Sequence, residues 1–355
     1  MENLLLELIQ VSLDTRKELS RVPNVAEWNN LFEAAQRHSV AGIIIIGLEK
    51  LNKQNRPPQT ILLQWIGNIL QGYEHRYGLY LRAIGELAEW YNSHGFKMMV
   101  LKGYACSLDW PKPEYRPCGD IDIWLFGKQE PADKLLYKEC GIIIDTSQHH
   151  HTVFNWLNFS VENHFDFINV HHHKSNVELE KIFKELGADD SHYVEINGEK
   201  VFLPSANLHS LFLIKHMLVN FASDVLTLRQ LLDWAFFVKA HKNEVDWLWL
   251  QKVLEQYGML PLYNLLNAIC IEDLGFDEKL FPKTVVDVTL KERVLNEILK
   301  PEFPGVQSSG LIARSFFKFR RWRANSWKHK LCYKESMWSA FWSGVWSHLL
   351  KPSSI

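Results

Sequence analysis

The sequence lacks long apolar runs and closely spaced cysteine pairs. No stretch of its 355 residues reaches the roughly eighteen apolar positions that a membrane-spanning helix needs. The five cysteines are scattered without a Cys-x-x-Cys pair, and an odd number at such spacing is typical of reduced thiols in a cytosolic protein. These absences argue against a membrane span and against a disulfide framework.

The chain also lacks an excess of charge of either sign. Its 39 Lys and Arg residues are balanced by 41 Asp and Glu, which gives a formal net charge of −2. This balance argues against a nucleic-acid-binding surface that extends over the whole chain. The N-terminus, MENLLLELIQ, carries acids where a signal peptide would carry Lys or Arg, so we expect a cytoplasmic protein.

What the chain does have is the composition of a soluble globular protein, with 47% apolar and 23% charged residues. Hydrophobic periodicity divides it into four segments. We expect an N-terminal helical subdomain at 1–95, a mixed α/β core at 96–203, a C-terminal helical domain at 204–310 and a basic, Trp-rich helical segment at 311–355. The predicted fold class is α+β, in which helical segments flank a small mixed sheet on both sides.

The α/β core shows the alternating spacing of β-strands. Strands are predicted at 96–101, 120–126, 142–144, 149–156, 158–170, 193–196 and 200–203. The last two strands flank Asn197-Gly198, a two-residue turn of the type that closes β-hairpins. In the N-terminal segment, residues 60–93 predict one long amphipathic helix with a kink near Gly72 or Gly78.

The most informative stretch is Met98–Phe126, MMVLKGYACSLDWPKPEYRPCGDIDIWLF. An apolar run ends at Lys102-Gly103, and an alternation of acidic and aliphatic residues begins at Asp120. That alternation places the Asp120 and Asp122 carboxylates on one face of a strand, roughly 7 Å apart along it. Two carboxylates this close repel each other, and oxygen ligands favour Mg²⁺ or Mn²⁺. The alternative is an exposed edge strand with two solvated acids.

A third acid would complete this site. A strand followed by Lys-Gly, a strand with Gly-Asp-x-Asp and a further acid on a neighbouring strand form the layout of a two-metal nucleotidyl or phosphoryl transfer site. Asp145, Glu162 and Asp166 all lie where that further acid is expected. Glu162, in Ser160–His164, alternates with apolar residues and is the predicted third ligand, with Asp166 as the alternative.

These motifs, in the order VLKG, RPCGDIDIWL and VENH, resemble the uncharacterised nucleotidyltransferase family of the DNA polymerase β-like superfamily. The resemblance covers roughly residues 20–270, from the helix around Trp28 to the helices that follow Leu228–Asp233. It implies a polymerase β-like nucleotidyltransferase core within the predicted α+β fold.

The resemblance also implies a role for each motif. Asp120, Asp122 and Glu162 would bind Mg²⁺ or Mn²⁺, and Lys102-Gly103 would lie at the phosphates of an NTP substrate. The sequence departs from the usual pattern at two places. Many relatives in the wider superfamily carry Gly-Ser at the Lys-Gly position, and the residue that follows Glu162 is an asparagine where an aliphatic residue is usual.

Two further residues before the aspartate pair are predicted to contact the nucleotide. Gly119 directly precedes the pair, and Arg116 would clamp a phosphate or would form an ion pair with one of the two aspartates. Farther along the chain, Arg229 and Asp233 have the i, i+4 spacing of an intrahelical ion pair, and the alternative is that they face the substrate cleft.

The predicted activity is transfer of a nucleoside monophosphate from an NTP to an unknown acceptor by two-metal catalysis. In this mechanism Glu162 would also help to deprotonate the acceptor. The alternative is a non-catalytic module that keeps the fold in order to bind a nucleotide or a partner, with membrane association through the C-terminal segment.

Two histidine triplets, His149–His151 and His171–His173, raise the question of a zinc site. Adjacent residues of a strand point to opposite faces, so one triplet cannot converge on one ion. A site formed by both triplets would require them to pair across strands. A polar, pH-sensitive patch is the expectation for these residues, and His164 is expected to tune Glu162 or to be structural.

The C-terminal stretch from Arg314 to Lys330 interleaves basic and aromatic residues, and tryptophans at helical spacing follow it. One expectation is a helix that packs on the preceding domain and exposes its basic face. The alternatives are a weak contact with an anionic surface such as a membrane, and an interface for a nucleic acid or an acidic acceptor.

Overall fold

A computed structural model describes residues 2–171, 173–223, 225–302, 311–340 and 342 of the chain. Within these residues, fifteen α-helices accompany a six-stranded sheet. The helices are α1 (Glu2–Ser12), α2 (Val25–Arg37), α3 (Ala41–Lys50), α4 (Gln59–Asn68), α5 (Arg76–Ser93), α6 (Tyr104–Ser107), α7 (Gln129–Cys140), α8 (Ser175–Leu186), α9 (Ala206–Ser223), α10 (Leu228–His241), α11 (Trp247–Gln256), α12 (Leu260–Glu272), α13 (Val288–Leu299), α14 (Leu311–Ala324) and α15 (Ser326–Cys332).

The sheet is mixed. Its strands are β1 (Met99–Val100), β2 (Ile121–Trp124), β3 (His151–Trp156), β4 (Phe159–His164), β5 (Tyr193–Ile196) and β6 (Glu199–Phe202). They lie in the order β3-β4-β2-β1-β6-β5, with β2 parallel to β4, β1 parallel to β6 and the other neighbours antiparallel. This arrangement confirms the predicted α+β class, with a small mixed sheet and helices on both sides of it in the sequence.

Strand β2 is buried on both of its faces. Ile121 and Ile123 belong to an apolar core that includes Tyr80 and Ile84 of α5. Trp124, two positions after Asp122, belongs to a second apolar core. This second core is formed by helices that precede the sheet in the sequence and by helices that follow it. The period of two therefore turns Asp122 away from α5 and toward the helices that follow the sheet.

The second core joins the beginning of the chain to its later helices. Its buried residues come from α1, α2 and α3 and also from α9, α10 and α12. Hydrogen bonds cross the same boundary: the Arg229 backbone N–H donates to the His38 carbonyl at 3.2 Å, and Gln10 Nε2 donates to the Asp273 carbonyl at 2.9 Å. The division at 95, 203 and 310 stays a prediction.

The long helix predicted over residues 60–93 is present and has an irregular turn in it. Helices α4 and α5 are joined by a π-helical turn at Ile69–His75, which contains Gly72. A π-turn inserts an extra residue and bends the helix axis. Tyr73 within this turn is buried, so the irregularity directs a large side chain into the core.

Two strand predictions are wrong in part. Residues 142–144 are not a strand: Ile143 is 81% exposed, and the one bridge to the sheet in this part of the described chain joins Asp145 to Val153. The segment runs along the sheet edge without a ladder of hydrogen bonds. Strand β4 also ends at His164 rather than at residue 170, because the next two backbone N–H groups, of Phe165 and Asp166, both donate to the His150 carbonyl at 3.1 Å.

A buried ion pair connects the loop before β2 to helix α10. Arg116 Nε and Nη2 donate to the two carboxylate oxygens of Asp233 at 2.8 and 3.0 Å, and Trp110 Nε1 donates to the same carboxylate at 2.9 Å. Arg116 and Asp233 are 3% and 5% exposed. Asp233 therefore pairs with Arg116 and not, as its spacing predicted, with Arg229.

Among the described residues, no helix combines the length and the apolar character needed to cross a bilayer.

The Arg116–Asp233 pair generates a stability prediction. Arg116→Met leaves the Asp233 carboxylate buried without its cation, so we expect the free energy of unfolding to fall by about 3–5 kcal/mol. Asp233→Leu should destabilise comparably, and the double variant should lose clearly less than the sum of the two single losses. Denaturant unfolding measures all three.

The matched control is Arg82→Met, which removes an exposed i, i+4 partner of Glu86. It should leave the unfolding midpoint almost unchanged because exposed pairs contribute little. Additive losses in the double variant would show that the two side chains do not depend on each other.

Candidate active site

Three elements bring charged side chains together at one point of the sheet. Lys102 directly follows β1, and its Nζ lies 2.7 Å from Asp122 Oδ1 on β2. Strands β2 and β4 pair in parallel with Asp122 opposite Glu162, so both carboxylates lie on the same face of the sheet. The repulsion between the Asp122 and Glu162 carboxylates is offset by the ammonium group of Lys102.

His164, at the end of β4, lies against both acids. Its Nε2 lies 3.2 Å from Asp122 Oδ1 and 3.8 Å from Glu162 Oε2. Its Nδ1 lies 3.1 Å from the Asp166 carbonyl oxygen, which only accepts hydrogen bonds, so Nδ1 carries a proton. The ring is thereby oriented with Nε2 directed at the carboxylates.

The acids differ in how strongly they hold a proton. Burial alone would raise the pKa of Asp122, but the Lys102 ammonium and the His164 imidazole outweigh burial and lower that pKa. For Glu162, burial and the neighbouring Asp122 carboxylate both act to raise the pKa. Burial lowers the pKa of Lys102, but the two acids exceed this effect, so Lys102 stays charged.

The donor set around these acids fits a divalent cation. One ligand atom each from Asp122, Glu162 and His164 lies within 4.8 Å of the others, and Asp122 and His164 are buried. Carboxylates and imidazoles are both ligands that Mn²⁺ accepts, and carboxylates alone suit Mg²⁺. His164 was not among the predicted ligands, although its spacing of two from Glu162 placed it on the same strand face.

The other candidates for the third acid lie elsewhere. Asp166 follows the end of β4 and pairs with Lys184 of α8. Asp145 pairs through its backbone with Val153, and its carboxylate accepts a hydrogen bond from the Ser147 backbone N–H at 2.8 Å. The structure thus brings Glu162, and neither alternative, beside Asp122; its role as a ligand stays a prediction.

The other predicted metal ligand, Asp120, precedes β2 and is exposed. Its backbone carbonyl accepts a hydrogen bond from Tyr80 Oη at 3.0 Å. Gly103 packs against the same hydroxyl group with φ of +49°, and a Cβ placed on it would lie 2.3 Å from Tyr80 Oη. Gly119 has open space around it. Of these two predicted nucleotide-binding glycines, only Gly103 is in a conformation that requires glycine.

Two neighbouring cavities meet at these residues. A small cavity of about 130 Å³ is lined by six predicted site residues: Lys102, Gly103, Arg116, Gly119, Asp120 and Asp122. A larger cavity of about 900 Å³ is lined by Glu162 and His164 and shares Lys102 and Asp120 with the first. All seven predicted site residues therefore line one of the two cavities, although the Arg116 guanidinium is held by Asp233.

Helices from the C-terminal part of the chain form the far wall of the larger cavity. Phe212 and Lys215 of α9, Trp322 of α14 and Tyr333 after α15 contribute to this wall. Lys215 is 3% exposed, donates to Asn176 Oδ1 at 2.9 Å and has its Nζ 4.9 Å from the Tyr333 ring centroid. Burial lowers the pKa of Lys215 to about 8.

This placement partly answers the question of the basic, aromatic C-terminal stretch. Within its described part, Trp327 and Cys332 pack against the second core. Phe319 and Arg320 are exposed, so part of this surface does face solvent. Contact with an anionic surface stays a prediction, and the later tryptophan-rich positions beyond 342 lie outside the described residues.

The histidine triplets do not form a site of their own within the described residues. His149 contacts His171 at a ring-centroid distance of 5.2 Å, which joins the two triplets at one point. His150 and His151 instead approach His164. Burial lowers the pKa of His150 to about 2 and that of His151 to about 4, so both rings are neutral near pH 7.

Comparisons with known proteins place this geometry in context. Residues 24–272 match the model of a protein family described as uncharacterised nucleotidyltransferase. A solved structure similar to the chain is that of an antigenic nucleotidyltransferase-like protein from Paracoccidioides brasiliensis, with 16% identity over 50% of this chain and 85% of that chain and a TM-score of 0.36. No curated protein matches the chain significantly. The family match extends from α2 to α12, and it includes the strand residues that line the two cavities.

The two glycines of the site provide a matched test of its geometry. Gly103→Ala forces a left-handed φ on a residue with a Cβ and drives that Cβ into Tyr80 Oη, so we expect a loss of unfolding free energy on the order of 1–3 kcal/mol. Gly119→Ala meets open space and should leave stability nearly unchanged. Denaturant unfolding compares the two, and equal losses would contradict the strained conformation of Gly103.

Proposed function

The chain belongs to the uncharacterised nucleotidyltransferase family, and from this premise we propose that it transfers a nucleoside monophosphate from an NTP to an acceptor hydroxyl or phosphate, releasing pyrophosphate. Family membership supports nucleotidyl transfer in general. The observation that carries the finer proposal is the parallel pairing of β2 with β4, which sets Asp122 opposite Glu162 at the meeting point of two cavities.

Asp120, Asp122 and Glu162 are the residues that would hold Mg²⁺ or Mn²⁺, with His164 as a further ligand for Mn²⁺. Bound ions of this kind polarise an attacking hydroxyl and offset the charge of the triphosphate and the leaving pyrophosphate. The support for Asp122, Glu162 and His164 is that they present ligand atoms within 4.8 Å of one another. The support for Asp120 is its place in the lining of both cavities.

Lys102 is the residue proposed to meet the phosphates. Its ammonium group is charged, lines both cavities and lies within hydrogen-bond distance of Asp122. A phosphate oxygen that enters either cavity would gain a charge-assisted hydrogen bond from it. Lys102 therefore lies between the proposed nucleotide site and the acids. When the substrate binds, its ammonium group would transfer a hydrogen bond from the Asp122 carboxylate to a phosphate.

Glu162 is the residue proposed to accept the proton of the acceptor hydroxyl. Its carboxylate is partly open to the larger cavity, whereas Asp122 is buried beneath Lys102 and His164. A carboxylate that faces the proposed acceptor site is placed to accept the proton of the acceptor hydroxyl.

The larger cavity is the proposed acceptor site. At about 900 Å³ it has the size of a small-molecule pocket, and aromatic side chains on α9 and in the C-terminal helices line it. Lys215 adds a buried ammonium group that contacts two neutral groups, the Asn176 side-chain amide and the Tyr333 ring. These features support a small acceptor with an apolar body and an anionic group.

The activity test uses the wild-type protein with each labelled NTP, Mg²⁺ or Mn²⁺ and a pool of small molecules extracted from cells as acceptors. We expect metal-dependent release of pyrophosphate. Asp122→Asn and Glu162→Gln should each reduce the rate on the order of 100-fold or more, because each removes a charge that the transition state requires.

The matched control for these variants is Asp166→Asn. Its carboxylate pairs with Lys184 outside the two cavities, so this variant should retain the wild-type rate. A rate that falls with Asp166→Asn and not with Glu162→Gln would move the third ligand to Asp166. If no NTP is consumed and Asp122→Asn binds nucleotide with wild-type affinity, the chain is a non-catalytic nucleotide-binding module.

A further inference from the structure

We propose that His150, His151 and His164 form a binding site for a borderline divalent transition-metal ion, Zn²⁺ foremost, beside the carboxylates of Asp122 and Glu162. Two of its three donors, His150 and His151, lie outside the proposed Mg²⁺ or Mn²⁺ ligands, and the third, His164, is shared with them only as the further ligand for Mn²⁺. One ligand atom from each of the three histidines lies within 4.8 Å of the other two.

Backbone pairing creates this cluster. Strands β3 and β4 pair in antiparallel register with His151 directly opposite His164, which places their side chains on one face. His150 precedes β3 and is not part of a strand, so the alternation of strand side chains does not apply to it. Its carbonyl accepts hydrogen bonds from the Phe165 and Asp166 backbone N–H groups at 3.1 Å, which fixes His150 beside the end of β4.

The ring positions match those of a tetrahedral site. Nitrogens that bind one Zn²⁺ at about 2.0–2.1 Å with tetrahedral angles place their ring centroids about 5 Å apart. Here the centroids are separated by 4.4 Å for His150 and His151, 5.2 Å for His151 and His164, and 5.6 Å for His150 and His164. The three rings thus surround a point that an ion can occupy with small side-chain adjustments.

The nitrogen atoms are available for coordination. Within the described part of the chain, the Nδ1 atoms of His150 and His151 are buried and have no hydrogen-bond partner. His164 directs Nδ1 at the Asp166 carbonyl and so leaves Nε2 for an ion. His151 Nε2 lies 3.8 Å from Glu162 Oε1. Metal-binding histidines characteristically direct their second nitrogen at a carbonyl or a carboxylate in this way.

The histidine site and the carboxylate site select different ions because their donor atoms differ. Imidazole nitrogens suit Zn²⁺ and related first-row ions, whereas carboxylate oxygens suit Mg²⁺ and Mn²⁺. Only one Nε2 lone pair is available from His164, so an ion on the histidines withdraws this ring from Asp122. Occupation of the histidine site would therefore change the electrostatics of the neighbouring acids.

The first experiment uses the full-length wild-type protein and needs no variant. The metal-free protein is titrated with Co²⁺ in excess Mg²⁺, which occupies the carboxylate site, and the visible spectrum is recorded. We expect the intense bands of tetrahedral Co²⁺ at one ion per chain, and we expect Zn²⁺ to abolish them by displacement. Weak octahedral bands only would overturn the proposal.

The second experiment assigns the ligands. His150→Ala and His151→Ala should each weaken Zn²⁺ binding about tenfold or more, measured by competition with a chromophoric chelator. His149→Ala is the matched control, because His149 is adjacent in the sequence but contacts His171 instead. Zn²⁺ affinities of the His150 and His151 variants equal to that of His149→Ala would overturn the proposal.

Neither readout involves an NTP. Failure of nucleotidyl transfer therefore leaves the histidine site standing, and failure of Zn²⁺ binding leaves the proposed activity standing. Circular dichroism checks that each variant is folded, and the Co²⁺ spectrum of the wild-type protein decides the question if a variant is not.

Discussion

The parallel pairing of β2 with β4 is the constraint on which the rest of the site depends. It holds two carboxylates side by side in a largely buried position, where their repulsion is weakly screened. A buried carboxylate needs a partner that compensates its charge, and the Lys102 ammonium group supplies that charge for Asp122. A lysine at the end of β1 meets this need, and a histidine at the end of β4 adds a contact to the same carboxylate.

Part of this arrangement could be predicted from the sequence because it depends on patterns within short stretches of the chain. Alternation with a period of two predicted which side chains of β2 and β4 share a face. The end of the apolar run at Lys102 predicted that this lysine lies at the end of the first strand. Asn163 interrupts the aliphatic pattern at a fully buried position, but the pairing register of β4 is unchanged. A tertiary contact satisfies this buried amide, because it donates to the Asp133 carboxylate of α7 at 2.8 Å. Thr152 donates to the same carboxylate at 2.6 Å.

The rest could not be predicted because it depends on contacts between distant parts of the chain. Asp233 lies 117 residues from Arg116, and helix spacing pointed to Arg229 as its nearer partner. The strand rule for adjacent histidines does not extend to His150 for a related reason. The rule holds inside a strand, but His150 lies just before β3, where hydrogen bonds from the end of β4 to its carbonyl fix its backbone. The isoleucines at 142–144 have strand propensity but lack a partner strand.

These long-range contacts explain how the two cavities come to meet at the acids. The ion pair between Arg116 and Asp233 ties the loop that leads into β2 to α10, while β4 presents Glu162 to a wall built by α9 and the C-terminal helices. The sheet therefore fixes the positions of the acids, and the helices fix the far wall of the larger cavity. The acids and the larger cavity meet at Lys102. In the proposed function, the chemistry resides in the strands and selectivity for the acceptor resides in the helices that line the larger cavity. A change of acceptor can then arise by substitution on α9 or in the C-terminal helices without disturbing the pairing of β2 with β4.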